Sequence, residues 1–446
     1  MEKLYEVETI SMTKIHDIKA REILDSRGHP TIAVDVHLTD GTVATSSVPS
    51  GASTGANEAV ELRDCDPERY DGKGVQKAIE NIHKVILPEV IGITASDQFK
   101  IDRILIDLDG TKNKRNLGAN AILGVSMSNA KAAAVSLGIP LYKYLNPETN
   151  HHILPVPMLN IINGGKHADN STDIQEFMIV PTKFSSFQEA MRGASEVYHT
   201  LRRHLARNGH YTTIGDEGGF APRLNSNHEA LDLIMDAIKD AGYKAGEQFF
   251  IALDVAASEI YDKDKHRYRF ETENRYLSSP DMIALYKSWV SEYPIISIED
   301  GLAENEWSGW KDMTRQLGEN VQLVGDDLLT TDPRRITEGV NAKAANAVLI
   351  KPNQIGTLTE TFEAIELAKS AGWATVVSHR SGETADTIIA DLAVATHSLQ
   401  IKAGAPARGE RTEKYNRLIK IETDLGTSCR FAGTEAYNNY QANKFH

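Results

Sequence analysis

The hydrophobic positions in the first part of the chain predict a few strands followed by helices. Apolar and polar residues alternate over residues 31–38, as in a half-buried strand, and a hairpin turn signal leads into a second predicted strand over 42–48. From about residue 74, apolar residues recur at three- and four-residue spacing, and residues 120–137 are predicted to form a long helix rich in alanine and serine. This part is therefore predicted to be an α+β domain.

In the second part, short apolar runs alternate with helical stretches. Such repeated alternation implies a parallel sheet, and about eight strands over roughly 300 residues favour a closed (β/α)8 barrel of the TIM type. No GxGxxG motif follows an early strand, so nothing supports dinucleotide binding. The predicted strands are 157–163, 177–180, 212–215, 249–254, 295–299, 321–325, 348–350 and 375–378, and the predicted helices include 229–241, 279–293, 358–371 and 384–396.

Together these patterns predict an α/β protein of two domains. Residues 1–13 form a loose tail, residues 14–150 an N-terminal α+β domain, and residues 151–446 a barrel domain.

Composition and charge narrow the function classes. The apolar fraction of 41% and the charged fraction of 25% are those of a soluble globular protein, with no apolar run of membrane-spanning length. The polar start of the chain lacks a signal peptide's features, and Cys65 and Cys429 share no metal-type spacing, so a cytoplasmic location is expected. The net charge of −14 argues against a nucleic-acid partner, although local cations would still attract a small anion.

Charged residues follow the predicted barrel strands one after another. In such a barrel the chemistry lies at the carboxyl ends of the strands, so these residues are predicted to meet around one site. The residues are Asp216-Glu217, Asp254, Glu299-Asp300, Asp326-Asp327, Lys351 and His379-Arg380.

Three of these acids form a candidate metal site. Asp254, Glu299 and Asp326 end successive predicted strands, and converging carboxylates repel one another unless a cation neutralises them. An all-oxygen set without His or Cys selects a hard ion such as Mg²⁺. We assign the ligand role to these three and a supporting role to the neighbouring Asp300 and Asp327. The alternative is that each is a solvated loop carboxylate or a helix N-cap.

Lys351 lies beside this candidate metal site. It follows a short apolar run that fits a strand buried on both faces, and Pro352 ends the strand pairing. Burial and nearby cations would lower its pKa and make it a general base. The alternative is a strand-end lysine whose amine simply extends into solvent.

An anion site is predicted next along the chain. His379-Arg380-Ser381-Gly382 offers cationic groups and backbone N–H groups ahead of a helix, which suits a phosphate, and Lys402 adds a further cation. The alternative is an ordinary helix-capping loop.

Other polar segments are predicted to face this site. Glu217 lies in a glycine-flanked turn, Gln175-Glu176 precedes a strand, and His167 ends the loop that begins at Asn163. Residues 49–55 have small side chains and two glycines, so they form either a connector or a lid over a ligand, with Ser53 among its hydroxyls. The combined arrangement suits proton removal beside a metal-bound carboxylate, with stabilisation of the resulting enediolate.

These residues and motifs resemble those of the enolase family, the 2-phosphoglycerate dehydratases, and bacterial members more than vertebrate ones. The resemblance covers nearly the whole chain from about Lys14. The motifs that carry it are Asp25-Ser26-Arg27-Gly28, 49–55, 117–121, Asn163-Gly164-Gly165, 215–222, 325–328, 351–357, 378–383 and 401–406.

The resemblance implies a small α+β domain that caps a modified barrel whose first units depart from strict βα order. It implies glycolytic, Mg²⁺-dependent interconversion of 2-phosphoglycerate and phosphoenolpyruvate through an enediolate. For proton transfer, the resemblance implies Lys351 as the base at C2 and Glu217, assisted by Glu176, as the acid at the C3 hydroxyl. For metal binding, it implies Asp254, Glu299 and Asp326 as ligands of one Mg²⁺ and Ser53 as a ligand of a second Mg²⁺ that arrives with substrate. For substrate binding, it implies His167 and Gln175 at the substrate, His379, Arg380 and Ser381 at the phosphate, and Lys402 at the substrate carboxylate.

The resemblance also implies a homodimer or an octamer of dimers. The sequence departs from the family pattern at Ala33 and Thr423, where acids of similar enolases form ion pairs across the dimer interface. We therefore predict a dimer that lacks those pairs, with Arg21 and Lys420 bound to other partners. Further departures, whose effect on activity the sequence leaves open, are Gly301, Ala385, Ser398 and Leu399.

Two alternative functions stay open from the sequence. One is an acid-sugar dehydratase or racemase of the same superfamily, which would lack the 49–55 segment and the His379-Arg380-Ser381 motif. The other is a surface or secreted protein that binds plasminogen on an enolase scaffold, alone or in addition to catalysis.

Overall fold

The computed structural model of the protein describes residues 13–51, 55–149, 151–168 and 171–440. The chain divides into two compact units. The first contains the described residues up to Val48, with Ala59–Thr149 and Gly356–Thr359. The second contains the described residues of Pro49–Glu58, of Asn150–Ile355 and from Glu360 onward. The predicted Ser53 lies outside the described residues.

The first unit is built on a three-stranded antiparallel sheet with the order Ile15–Leu24, Pro30–Leu38, Val43–Ser47. The two later strands were predicted from their alternation. The first was not, because Ile15 and Ile18 are its only fully buried residues. The helices are Gln76–Asn81, a π-helical turn Ile82–Ile86, Leu87–Val90, Gln98–Asp109, Ala119–Ser136 and Leu141–Leu145, with a short 3₁₀ turn Tyr70–Gly72.

The long helix Ala119–Ser136 packs closely on this sheet because its residues are small. A Cβ atom at Gly124 would lie 2.6 Å from a methyl group of Val34, so only glycine fits there. The Ser128 hydroxyl donates to the Val34 carbonyl at 2.7 Å and accepts from the Ser46 N–H at 3.1 Å. The alanines and serines of the sequence thus allow a helix buried along most of its length.

The second unit contains a closed eight-stranded barrel, which confirms the predicted fold class. Seven strands run parallel, whereas Glu176–Pro181 is antiparallel to both of its neighbours. The alternation pattern alone predicted a parallel sheet, and the family resemblance implied the exception. The strands in order around the barrel are Ile295–Glu299, Gln322–Gly325, Ala347–Ile350, Ala374–Ser378, Gln400–Lys402, Val156–Asn163, Glu176–Pro181 and Phe249–Asp254.

One predicted strand was wrong. Residues 212–215 are not part of the barrel; only Ile214 forms an isolated bridge, with Phe220, because Gly215 turns the chain back through its hydrogen bond to Gly219. The eighth barrel strand is Gln400–Lys402, whose three residues are too few to show a periodic pattern.

Helices and short strands complete the second unit. The helices are Phe187–Arg207, Asn227–Asp240, Ser279–Glu292, Trp307–Leu317, Pro333–Ala342, Pro352–Ile355, Leu358–Ser370, Ile388–Ala395 and Gly409–Leu425, with 3₁₀ turns Gly165–His167, Ala257–Ile260, Gly426–Ser428 and Gly433–Tyr437. The first two residues of the helix Leu358–Ser370 belong to the first unit. The short strands are His152–Leu154, Tyr261–Asp262, Arg267–Phe270, Arg275–Leu277 and Cys429–Phe431.

The barrel interior is apolar toward the amino ends of its strands. Apolar side chains from neighbouring barrel strands pack there with Tyr437 and Tyr440 from the end of the described chain. A pair of buried glutamines, Gln322 and Gln400, bond each other at 2.7 and 2.8 Å within this interior. The packed end leaves the opposite rim, at the carboxyl ends of the parallel strands, as the open one.

The residues singled out at the predicted dimer interface have partners within their own chain. Arg21 pairs with Asp35, and Lys420 pairs with Asp424 at 2.9 Å along one helix. The dimer that lacks the family's ion pairs stays a prediction. Within the described part of the chain, no helix combines the length and the apolar character that crossing a membrane requires.

Candidate active site

The carboxyl ends of the barrel strands bring the predicted residues to one rim. Glu299 lies opposite Asp254 in the strand register, and Ser378 lies opposite Lys402. Because the strand Glu176–Pro181 is antiparallel, its first residue reaches this same rim opposite Asp254. The cavity at the rim is lined by His167, Gln175, Glu176, Glu217, Asp254, Ala256, Asp300, Asp326, Asp327, Lys351, Ser378, His379, Arg380, Ser381 and Lys402.

Lys402 joins the carboxylates of three neighbouring strands. Its Nζ atom lies 3.0 Å from Asp254 Oδ2, 2.9 Å from both oxygens of Glu299 and 3.3 Å from Glu176 Oε2. Burial opposes the charge of Lys402, but Asp254 and the other carboxylates outweigh it and raise its pKa well above the usual value. The predicted Gln175 also reaches this group, since its Nε2 donates to Asp254 Oδ2 at 3.3 Å.

Lys351 is bound by Asp326, the third predicted metal ligand, as Lys402 is bound by Asp254 and Glu299. Its ammonium group donates a short hydrogen bond to Asp326 Oδ2, and Asp326 Oδ1 accepts from Gln354 Nε2 at 2.8 Å. Burial lowers the pKa of Lys351, but the charge of Asp326 outweighs burial, so the pKa lies above its usual value. The sequence had led us to expect a lowered pKa; in this structure Asp326 acts on the ammonium group as a full negative charge.

The rim has more carboxyl groups than the two lysines can neutralise, so several of these groups keep their protons to a higher pH than usual. Burial and the charge of Asp254 raise the pKa of Glu299 to about 8, and burial and the charge of Asp326 raise that of Asp327 to about 8. Asp300, which accepts from the N–H groups of Asp326 and Asp327 at 3.0 and 2.9 Å, has a pKa well above its usual value because of burial and these same neighbours. Such pKa values indicate a site where another cation would be stabilising.

The donor set fits a hard divalent cation. Ligand oxygens of Asp300, Asp326 and Asp327 lie within 4.8 Å of one another, and Asp254 and Glu299 share the ammonium group of Lys402. Buried carboxylate oxygens are the ligands that Mg²⁺ prefers.

A second group of acids, Glu176 and Glu217, lies beside these carboxylates, since Glu176 is opposite Asp254 in the strand register. His167 Nδ1 is 3.6 Å from Glu176 and 3.8 Å from Glu217, and His379 Nε2 is 3.2 Å from Glu217 Oε2. Burial and the charge of Glu217 raise the pKa of Glu176 well above its usual range. Burial acts on Glu217 too, but His379 and His167 outweigh it and hold the pKa of Glu217 below its usual range. Of these two neighbouring carboxyls, Glu176 therefore keeps its proton to a higher pH than Glu217.

Arg380 and Ser381 follow His379 at the rim, and Arg380 has a buried acidic partner. Arg380 Nη1 lies 2.7 Å from Glu58 Oε2 and 3.2 Å from Asn353 Oδ1. Sequence reasoning missed Glu58, which lies three positions after the end of the predicted 49–55 segment. The Gly55 N–H donates to the Glu58 carboxylate at 2.9 Å, so Glu58 links that segment to Arg380.

Sequence reasoning also missed Arg411, which lies in the first turn of the helix Gly409–Leu425 and is completely buried. Its guanidinium group bonds to His379 and to backbone carbonyls at the rim. A cation is unfavourable at a helix N-terminus. An arginine at that position was therefore a signal that some other interaction holds it.

Most of the chain is similar to one protein family. Residues 15–145 match the family model described as Enolase, N-terminal domain, and residues 151–440 match the model described as Enolase, C-terminal TIM barrel domain. The matched segments include every site residue described above, whereas the closer resemblance to bacterial members stays a prediction.

Proposed function

The chain belongs to the enolase family, and on that premise we propose that it catalyses the reversible dehydration of 2-phosphoglycerate to phosphoenolpyruvate with Mg²⁺. One observation carries the proposal. One cavity is lined by an amine, Lys351, by two acids, Glu176 and Glu217, and by the cation Arg380. Removal of a proton and of a hydroxyl from adjacent carbons of a phosphorylated acid needs these groups together.

Lys351 is proposed to take the proton from C2. Its hydrogen bond to Asp326 fixes the amine, but the charge of Asp326 keeps it protonated in this structure. Mg²⁺ held by Asp254, Glu299 and Asp326, with a second ion reached by Ser53, would neutralise these carboxylates and the charge that develops on the substrate carboxylate. With Asp326 neutralised, Lys351 would lose its proton more readily.

The leaving hydroxyl is proposed to take its proton from the pair formed by Glu176 and Glu217. The pKa of Glu176 is raised well above its usual range by burial and the charge of Glu217, and His167 lies within 3.8 Å of both carboxyls. A proton that moves between the two carboxyls would make Glu217 the acid at C3. His379, with its Nε2 atom 3.2 Å from Glu217, would favour return of Glu217 to the anionic form.

The phosphate group is proposed to bind at Arg380 and Ser381, beside His379. Arg380 is a planar donor suited to phosphate oxygens. Lys402, already bonded to Asp254 and Glu299, and Gln175 would help to position the substrate carboxylate.

The test is formation of phosphoenolpyruvate from 2-phosphoglycerate, with and without Mg²⁺, by the folded protein. Lys351→Ala should abolish turnover, while Lys183→Ala, an exposed lysine paired with Glu247, should leave it unchanged. Full activity of Lys351→Ala would remove the proposed base. A folded wild-type protein without activity on this substrate would refute the proposed function.

A further inference from the structure

Arg411 connects the two sides of the candidate site. It is fully buried, and its Nη1 atom lies 2.6 Å from His379 Nδ1 and 2.6 Å from the Arg380 carbonyl. Its Nη2 atom donates to the Ser381 carbonyl at 2.6 Å and to the Asp216 carbonyl at 3.1 Å. One side chain thus holds the His379–Ser381 segment and the turn that carries Glu217.

The contact with His379 determines where the imidazole carries its hydrogen. A guanidinium group only donates hydrogen bonds, so a nitrogen at 2.6 Å from it must be the acceptor. Nδ1 of a neutral His379 is then without hydrogen, and the hydrogen lies on Nε2. That Nε2 atom is 3.2 Å from Glu217 Oε2.

We propose that Arg411 is a positioning residue that fixes His379 in the Nε2–H tautomer and so places the ring hydrogen on the nitrogen that lies 3.2 Å from Glu217. The inference rests on the proposed function, in which Glu217 is the acid. The Nε2–H makes no hydrogen bond to the described residues in this structure, in which Glu217 Oε2 accepts from Asn160 Nδ2 at 3.2 Å. It is proposed to donate to Glu217 when that carboxyl becomes anionic after proton transfer, and so to stabilise the anion.

The surroundings of His379 support a neutral ring. Burial lowers the pKa of His379 to about 4, with Glu217 and Glu383 opposing this effect and Arg411 adding to it. A neutral imidazole exists in two tautomers, and the one chosen depends on the partner of the other nitrogen. Here that partner is Arg411.

The chain makes room for the arginine at Gly404. A Cβ atom at Gly404 would lie 2.8 Å from Arg411 Cδ and 2.8 Å from the Glu217 carbonyl, and the residue has φ +85°. The Tyr415 hydroxyl donates to the Gly404 carbonyl at 2.6 Å, and the Ala405 N–H donates to the Glu217 carbonyl at 2.9 Å. The arginine stem and the Glu217 turn therefore pack on the same glycine.

A purely structural role for Arg411 is the competing explanation, because its three carbonyl contacts alone would hold the segments together. The two explanations differ in the tautomer of His379. Arg411→Lys keeps a positive charge but loses the planar fork of donors. The matched control is Arg417→Lys on the same helix, whose arginine Nε donates to Asp391 at 2.8 Å and has no contact with His379 in the described structure.

The experiment is ¹⁵N NMR of histidine side chains in the metal-free protein, with the His379 signals assigned from a His379→Gln spectrum. The wild type and Arg417→Lys should show a protonated Nε2 and an unprotonated Nδ1. Arg411→Lys should populate the other tautomer, and its kcat should fall by about 100-fold, more than its KM rises, as expected for a misplaced catalytic group.

A wild-type His379 that carries its hydrogen on Nδ1 would overturn the inference. The wild-type spectrum is decisive on this point even if Arg411→Lys does not fold. An unchanged tautomer in a folded Arg411→Lys variant would also overturn it, whatever the loss of activity. The spectra need neither substrate nor Mg²⁺, so they test the tautomer independently of the proposed reaction. A wild type that shows the expected tautomer but is inactive would refute the proposed reaction and leave the inference about Arg411 intact.

Discussion

Glu58 and Arg380 form an ion pair whose side chains are only 6% and 4% exposed, with Oε2 and Nη1 2.7 Å apart. Arg380 is the arginine proposed to bind the substrate phosphate. A carboxylate therefore compensates the charge of Arg380 when no phosphate is present. Gln354 Nε2 and the Gly55 N–H reach the other oxygen of Glu58, at 3.4 and 2.9 Å.

Replacement of Glu58 should make the protein depend on an anion for stability. Loss of one partner of a buried pair leaves the other charge uncompensated, so Glu58→Gln should lower the free energy of unfolding by about 3 kcal/mol. Inorganic phosphate should then raise the Tm of this variant more than that of the wild type. Glu247→Gln, which breaks the exposed pair with Lys183, should cost less than about 1 kcal/mol and gain nothing from phosphate. An equal phosphate effect in the wild type and Glu58→Gln would contradict the prediction.

Lys402 should compete with Mg²⁺ for the carboxylate of Asp254 and, once Glu299 ionises, for that of Glu299. Two unit charges about 4 Å apart interact by about 4 kcal/mol at an effective dielectric constant of 20. Lys402→Met should therefore bind Mg²⁺ at least about tenfold more tightly in the absence of substrate, although turnover is lost. Isothermal titration calorimetry measures this affinity.

The control for Lys402 is Lys414→Met, which removes an equally buried lysine that pairs with Glu383 at 2.8 Å. Its affinity for Mg²⁺ should equal that of the wild type. Weaker Mg²⁺ binding by Lys402→Met would show that the lysine supports the metal site rather than competing with it.

Mg²⁺ binding should release protons near pH 7. Glu299 has a pKa of about 8, so it is largely protonated there and must ionise to bind a cation. We expect release of about one proton or more, measured by titration of the metal-free protein in two buffers of different ionisation enthalpy. Glu299→Gln should release fewer protons. A binding enthalpy that is the same in both buffers would rule out this account of the site.

His379 should make the protein less stable in acid. Its pKa is about 4 in the folded protein and 6.5 as an unperturbed group, so between these values the unfolded chain binds more protons. Stability contributed by the neutral ring is therefore lost as pH falls from about 6.5 toward 4. Between about pH 6.5 and 4.5 the wild type should lose about 2 kcal/mol more than His379→Gln, as measured by urea unfolding. Parallel pH curves for the two proteins would exclude a buried neutral His379.

Periodic patterns gave most of the barrel, but they failed where an element is too short or reversed. Seven of its strands lie where apolar runs predicted them, whereas the three-residue strand Gln400–Lys402 was overlooked in favour of residues 212–215. Glu176 reaches the rim from the start of its strand because that strand is antiparallel to its neighbours. The hydrophobic pattern could not show this, since it is the same for either strand direction.

The sequence by itself determined which residues end buried strands. Because parallel strands of a barrel all end at the same rim, Asp254, Glu299, Asp326 and Lys351 could be predicted as neighbours. Only the tertiary structure decided their partners. Lys402 bonds to Asp254 and Glu299 across separations of 148 and 103 residues, Glu58 to Arg380 across 322 residues, and Arg411 to His379 across 32 residues. Hydrogen bonds act over about 3 Å in space, and no local pattern records which distant side chains the closed barrel will bring that close.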